Sequence, residues 1–386
     1  MASLRQFLGI MRLGARSFPG RIKSSLVIVI GLACATAFPL SIVTMGESLK
    51  ISYLRAGAPD RALVLSQGAR RQSDSHISSN WIDTIAHAPG IRMRHGAPMV
   101  DLEISAGFHP RKRAKPEKGN ARMRGIGPLG FVLRPELQLL SGRLPRPGSQ
   151  DVIVGLQAQH KFAGFDIGSQ FEVLERRWRV VGVFQTGNTL DGDVVVDVTA
   201  LKTARQAASY DVVLVGLKSP DTLQGLQNAL RSLPITVMAE TDYYRQLWTQ
   251  VPSVPYFFAY ALLLLMGSGA LSGTVHTVYA ATSARAHEIV ILRAIGFHGG
   301  LVAVSVVVEA VLLACLGALI GVGVDWLWLQ NYPYNGGVEG GVFRIQVTPY
   351  MAALALSWAV VIGIWGALMP SFKVARGTVV EAMRDL

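Results

Sequence analysis

The chain has 386 residues, of which half are hydrophobic and only 16% are charged, with a mean hydropathy of +0.35. That balance excludes an ordinary soluble globular protein and places the chain among integral membrane proteins. The formal net charge is +12, so the placement of the basic residues decides what they mean.

Residues 1–23 carry Arg5, Arg12, Arg16, Arg21 and Lys23 and no acid, as an amphipathic segment on the cytoplasmic face would. The apolar run 24–46 follows, close to the roughly 20 residues that a bilayer crossing needs. Ala35-Thr36-Ala37 would suit signal-peptide cleavage, but the run continues past it to Val43 and reads as a retained helix. Gly31 and Leu32 fit poorly before Cys34, which disfavours a lipoprotein signal.

Residues 47–252 read as a folded α+β domain. One strand–helix–strand pattern runs through Ala62–Ser66, a helix near Ser78–His87 and a strand from Ile91. A second runs through Asp211–Leu217, a helix near Asp221–Leu233 and Ile235–Ala239. In that helix Leu223, Leu226, Leu230 and Leu233 repeat at helical spacing after Ser219-Pro220-Asp221, a suitable cap and first turn. The two pieces (about 60–101 and 205–245) pair into a split layer. Between them, residues 102–198 are rich in Gly, Pro and short β-like runs, as a β-rich insert would be. The insert carries the basic segment from Arg111 to Arg124. It has no interleaved aromatic residue to stack on bases, so it reads as a solvated loop rather than a nucleic-acid site. Contact with anionic lipid headgroups or an acidic partner is the functional alternative.

Three further apolar runs occupy 253–282, 300–330 and 349–370. They are joined by a charged connector at 283–299 and a loop at 331–348, and followed by a tail at 371–386. Basic residues in 1–23, in the connector (Arg285, Arg293) and in the tail (Lys373, Arg376, Arg384) put all three on the cytoplasmic side. Residues 47–252 and 331–348 then lie outside. If the connector is helical, Arg285, Glu288, Ile289, Leu292, Arg293 and Gly296 share a broad face that mixes charge with aliphatic contact. That face suits a docking surface as well as a plain interfacial connector.

Residues that carry chemistry are few. No G-x-x-x-x-G-K-[ST] loop is present to cradle nucleotide phosphates, nor H-E-x-x-H, G-x-S-x-G or a Cys/His cluster. Cys34 and Cys315 both fall in apolar runs, so residues 47–252 have no disulfide. Glu309 lies inside the third run, where a carboxyl faces a partner helix or a cavity, or else snorkels to the interface. His276 and Asp325 lie nearer helix ends and read as interfacial. Gly317 and Gly321 would let another helix approach closely.

The connector, Arg285-Ala-His-Glu-Ile-Val-Ile-Leu-Arg-Ala-Ile-Gly296, resembles the "ER..EI.ILRAIG" signature of the MacB/FtsX/LolC-type ABC transporter permeases. Glu309 with Gly317 and Gly321, and the ending Pro370…Ala375-Arg376…Glu381-Ala382-Met383-Arg384, resemble that family's third helix and tail. Ser141-Gly-Arg143, Asp151–Gly155 and Trp178–Phe184 resemble its external domain. The similarity covers nearly the whole chain in the family's order.

The resemblance implies an α-helical membrane protein with four transmembrane helices and a large α+β extracytoplasmic domain between helices 1 and 2. It implies a non-catalytic permease subunit in a bacterial inner membrane, with the external domain in the periplasm. Arg285, Glu288, Ile289, Leu292, Arg293 and Gly296 would contact a separate ATPase subunit, and Glu309 would make an intramembrane polar contact. The chain itself would need no cofactor, since ATP and Mg would be held by the ATPase. The other implied partners are a second permease copy, a periplasmic adaptor and membrane lipids, with no nucleic acid. The implied work is export or extraction of a hydrophobic, lipid-like or lipoprotein substrate. The alternative is an FtsX-like regulator that activates a periplasmic cell-wall hydrolase.

Overall fold

The computed structural model describes residues 22–114, 117–250, 254–284, 299–335 and 342–376. The chain divides into two compact units: Met1–Gly46, Ser253–Gln330 and Gln346–Leu386 form one, Glu47–Pro252 and Asn331–Ile345 the other.

The described chain opens with α1 (Ile22–Leu54), which continues past the Gly46 where the apolar run ends. There follow β1 (Arg61–Ser66), α2 (Ile82–Ala86), β2 (Met93–Arg94), β3 (Ala97–Pro98), β4 (Val100–Phe108) and β5 (Ala121–Ile126). Next come α3 (Pro128–Leu133), β6 (Gln138–Gly142), β7 (Asp151–Gly155), α4 (Leu156–Lys161), β8 (Gln170–Val173) and β9 (Arg176–Gln185). Then come β10 (Asp193–Asp197), α5 (Val198–Arg205), β11 (Val212–Gly216), α6 (Leu223–Ala229), β12 (Ile235–Ala239) and α7 (Glu240–Thr249). The described chain closes with α8 (Val254–Ala284), α9 (Gly299–Leu329), β13 (Pro333–Asn335), β14 (Val342–Arg344) and α10 (Pro349–Arg376).

The α+β unit is built on a ten-stranded sheet in the order β12-β1-β11-β4-β5-β10-β7-β9-β6, with β8 paired to β9. β1 is flanked antiparallel by β11 and β12. Leu226 and Leu230 are buried against this part of the sheet with Val64, Val213, Val215 and Val237, which is why the leucine spacing of α6 is helical. The first turn before α6 is a 3₁₀ turn, Pro220–Thr222, in which Thr222 Oγ1 donates to the Ser219 carbonyl at 2.7 Å. The strand expected from Ile91 is reduced to a single bridge with Leu217. His95 and Gly96 adopt φ of 52° and 81°, turning the chain into the β2–β3 hairpin before it can extend. The basic segment is likewise not one loop. Arg111 bridges Lys118, Arg113 pairs with Asp166 at 2.9 Å, and Arg122 and Arg124 lie within β5.

β4 changes partners along its length. Val100–Glu103 pair with β11, and Ile104–Phe108 pair with β5. The residue-102 boundary expected between layer and insert therefore falls within one strand. Beyond it, Met123, Val152, Val154, Phe162, Phe165, Trp178, Val180, Val194 and Val196 form the main core of the β-rich half. A smaller cluster of Ile126, Ile153, Val181, Phe184 and Val195 lies on the opposite face. Alternate residues of β10 thus feed two cores, so a run of valines is buried throughout.

In the helical unit, Val29 and Leu32 of α1 pack with Leu313, Ala314 and Ala318 of α9 and Ala359 and Ile362 of α10. Four helices among the described residues are long and apolar enough to cross a membrane.

Candidate functional site

The helical unit is joined by small residues. A Cβ added at Gly317 would lie 2.7 Å from the Val29 carbonyl oxygen, and one at Gly321 would lie 2.7 Å from that of Ala33. Only glycine permits so close an approach of α1 to α9. One turn further along α9, Asp325 is buried and its carboxylate accepts a hydrogen bond from Ser41 of α1 at 2.8 Å. Asp325, expected near the membrane interface, is thus covered by α1, which runs alongside α9 at this level. His276 is exposed on α8. Glu309 is half-buried on α9, and its neighbour Ala310 is buried with Val278 of α8 and Ala367 of α10. The expected coupling residues Arg285, Glu288, Ile289, Leu292, Arg293 and Gly296 lie outside the described residues.

The α+β unit holds a different construction, a buried network of charges at the point where β4 changes partners. Arg61 of β1 is 2% exposed. Its Nε donates to Glu240 at the start of α7 (2.5 Å), its Nη1 to the Leu133 carbonyl (2.6 Å) and its Nη2 to Glu136 (2.8 Å). Glu103 of β4, 1% exposed, receives Arg124 at 2.8 Å on one oxygen and lies 2.5 Å from Arg134 on the other. Arg124 also donates to Gln72 at 2.8 Å and to Asp193 at 3.2 Å, while Arg122 holds Asp193 at 2.9 Å. Arg134 and Glu240, 3.7 Å apart, close the circuit.

The backbone at the changeover is tied as well. The Asp211 N–H donates to the Glu103 carbonyl at 2.9 Å, and the Ser105 N–H donates to the Asp211 carboxylate at 2.7 Å. Arg205 clasps both, reaching the Ser105 carbonyl at 3.0 Å and Asp211 at 2.6 Å.

The electrostatics divide these carboxylates. Burial alone would push Glu103 up, but Arg134 and Arg124 outweigh it and hold the group below the usual carboxylate range. Asp101, two residues earlier on the same strand face, is pushed up to about 7 by burial and then by the Glu103 charge. The Gly127 and Gly130 N–H groups and Arg134 oppose that rise. Burial first, then the Glu240 charge, pushes the Tyr244 hydroxyl up to about 12, against Arg124 and Arg134. Charges so placed brace a joint; they do not present a reactive group to a substrate. Among the described residues no group of three or more His, Cys, Asp or Glu is placed to hold a metal.

The joint did not stand out in the sequence, because its partners are 21 to 179 positions apart; Arg122 and Arg124 were noticed only as part of the basic segment and read as solvated. The available signal was alternation. Asp101 and Glu103 sit two apart, as do Arg122 and Arg124, in otherwise apolar β-like runs, so each pair shares a sheet face.

Residues 25–233 match the profile of the MacB-like periplasmic core domain. The periplasmic region of MacB from Actinobacillus actinomycetemcomitans is similar at 16% identity, over 52% of this chain and 97% of that one, with a TM-score of 0.38. The extracellular domain of the noncanonic ABC-type transporter YknZ from Gram-positive bacteria is similar at 17% identity. It covers 46% of this chain and 99% of its own, with a TM-score of 0.36. Comparison with curated proteins gives no match. With the profile spanning just over half its length, the chain belongs to the family that carries the MacB-like periplasmic core domain, the MacB/FtsX-like ABC transporter permeases.

Proposed function

We propose that this chain is the membrane subunit of an ATP-driven complex in a bacterial inner membrane. Two copies work with two copies of a separate ATPase, which holds the ATP and Mg. The observation that carries the reading is the family match over 25–233 together with four helices able to span a bilayer. Closure of the ATPases displaces the connector at 283–299, through Arg285, Glu288, Ile289, Leu292, Arg293 and Gly296. The helices carry that displacement to the α+β unit, which stands in the periplasm. The motion serves export or extraction of a hydrophobic, lipid-like or lipoprotein substrate, with a periplasmic adaptor as the further partner. The braced joint around Glu103 supports this reading, because a domain that receives motion from helices must move as one piece.

The test is copurification of the ATPase from cells expressing the chain. Glu288→Lys and Arg293→Glu should weaken capture. Leu292→Asp should lower it by over tenfold, since an anchor side chain contributes about 2 kcal/mol or more. Unchanged capture in all three variants, with the α+β unit still protease-resistant, would sink the proposed coupling role. An FtsX-like regulator would instead bring down a cell-wall hydrolase.

A further inference from the structure

The segment between α9 and α10 is more than a short turn. The chain leaves the helical unit after Gln330, joins the α+β unit for Asn331–Ile345 and returns at Gln346. Within that excursion β13 and β14 pair antiparallel from Pro333↔Arg344 to Asn335↔Val342. The base of the hairpin is closed by the Asn331 N–H to the Ile345 carbonyl at 2.9 Å and the Ile345 N–H to the Tyr332 carbonyl at 3.1 Å. Ile345 is 2% exposed.

The hairpin has a specific seat in the β-rich half. β14 lies against the 3₁₀ turn Thr189–Gly192 and against α4, which β13 also touches. The Gln157 amide of α4 is buried. Oriented by its partners, its oxygen accepts from Arg344 Nη2 at 2.8 Å and Nε at 3.1 Å. Arg344 also reaches Asn331 at 3.3 Å. Asp191, at the heart of the 3₁₀ turn, is pushed up by burial; the Thr186 hydroxyl and N–H, the Gly187 N–H and the Arg344 charge oppose that rise. The guanidinium therefore donates to a neutral acceptor while its charge acts on a buried acid nearby.

We propose that Arg344 is a positioning residue. It fastens the α9–α10 connection to the β-rich half, so that displacement of α9 and α10 reaches that half by a route separate from α1 and α8. The inference rests on the ATP-driven reading above and goes beyond it. α1 and α8 join the α+β unit through the ends of its Glu47–Pro252 stretch, whereas the hairpin joins it at Gln157 and Asp191 in the middle of the sheet order. A rigid seat converts a loop into a strut, because a bidentate contact fixes orientation as well as distance. Freed of Arg344, the segment would follow the helices without moving the β-rich half.

The experiment uses the full complex with its ATPase in nanodiscs, in a Cys34→Ser, Cys315→Ser background. Spin labels are placed at Arg146→Cys and Tyr350→Cys, both exposed, with labelled chains diluted among unlabelled ones. The reading is the change in label separation between nucleotide-free and ATP-trapped states. Arg344→Ala should lower its amplitude by about twofold or more, the low end for residues along a coupling route. Protease resistance of the α+β unit should be kept. Arg344→Lys with Gln157→Glu, which puts an ion pair in place of the amide contact, should recover the amplitude; Gln157→Ala serves if Arg344→Ala folds poorly. An unchanged amplitude in both alanine variants, beside a clear change in the parent, overturns the strut alone. No nucleotide-driven change in the parent overturns the ATP-driven reading and the strut with it.

Discussion

The two units solve the same problem, holding several elements in fixed register, by opposite chemistry. In the α+β unit, four arginines and four carboxylates, Arg61, Arg122, Arg124, Arg134 with Glu103, Glu136, Asp193 and Glu240, are drawn together at the β4 changeover. In the helical unit, backbones meet at Gly317 and Gly321, apolar side chains pack around them, and the side-chain hydrogen bond described above from α1 to α9 is Ser41 to Asp325. Lipid supplies no hydrophobic drive between helices, so close van der Waals approach carries that joint. A water-exposed domain can bury charge because strands deliver donors and acceptors from several directions at once. Removing one member of such a set leaves its partners buried and uncompensated, which is far worse than losing one contact between smooth helices.

The sharpest way to break that contrast is Arg134→Met, which leaves Glu103 and Glu240 short of a countercharge. It should destabilise the α+β unit by about 3–5 kcal/mol, read by thermal denaturation in detergent. A loss below about 1 kcal/mol would mean the network is dispensable.

Asp101 gives the next effect, with a defined sign. Its folded-state pKa of about 7 lies above the ordinary value of 3.8. The folded protein therefore holds the proton more tightly, and stability is lost as pH rises from about 4 through 7. Asp101→Asn, which keeps an oxygen for the Gly127 N–H, should remove that loss. Relative to the parent, its advantage should grow by about 2.5 kcal/mol between pH 5 and pH 8. An equal gain at both values would assign Asp101 no titration in that window.

In the helical unit, Gly321→Ala must push α1 from α9 and should cost about 1–2 kcal/mol. The complex should lose thermal resistance while the α+β unit stays protected. Smallest of all, Ser41→Ala removes one intramembrane hydrogen bond and should cost about 0.6 kcal/mol. A larger penalty at Ser41 than at Arg134 would invert the comparison altogether.

What the sequence disclosed follows the same division. Apolar runs and Gly-x3-Gly spacing are local, so the four spans and the glycines at 317 and 321 could be read directly, though not that α1 is the helix they admit. Leu226 and Leu230 likewise announced α6. The charge network was hidden because each member, taken alone, looks like an ordinary surface residue. Its meaning arises only when β1, β4, β5, β10 and α7 are brought together. The partner of Asp325 was hidden for a related reason: distance from the helix end does not reveal which neighbour covers it. The hairpin at 331–345 escaped notice because its seat, Gln157 and Asp191, lies far away in the chain.

The partner change along β4 has one more implication. Since Val100–Glu103 pair only with β11 among these two neighbours and Ile104–Phe108 only with β5, the backbone ladder by itself would leave a hinge between residues 103 and 104. The side chains of Glu103, Arg124, Arg205 and Asp211 span that crease. Compliance of the sheet is thus set by ionisable groups rather than by peptide hydrogen bonds, and acidification that protonates Glu103 would soften it to bending.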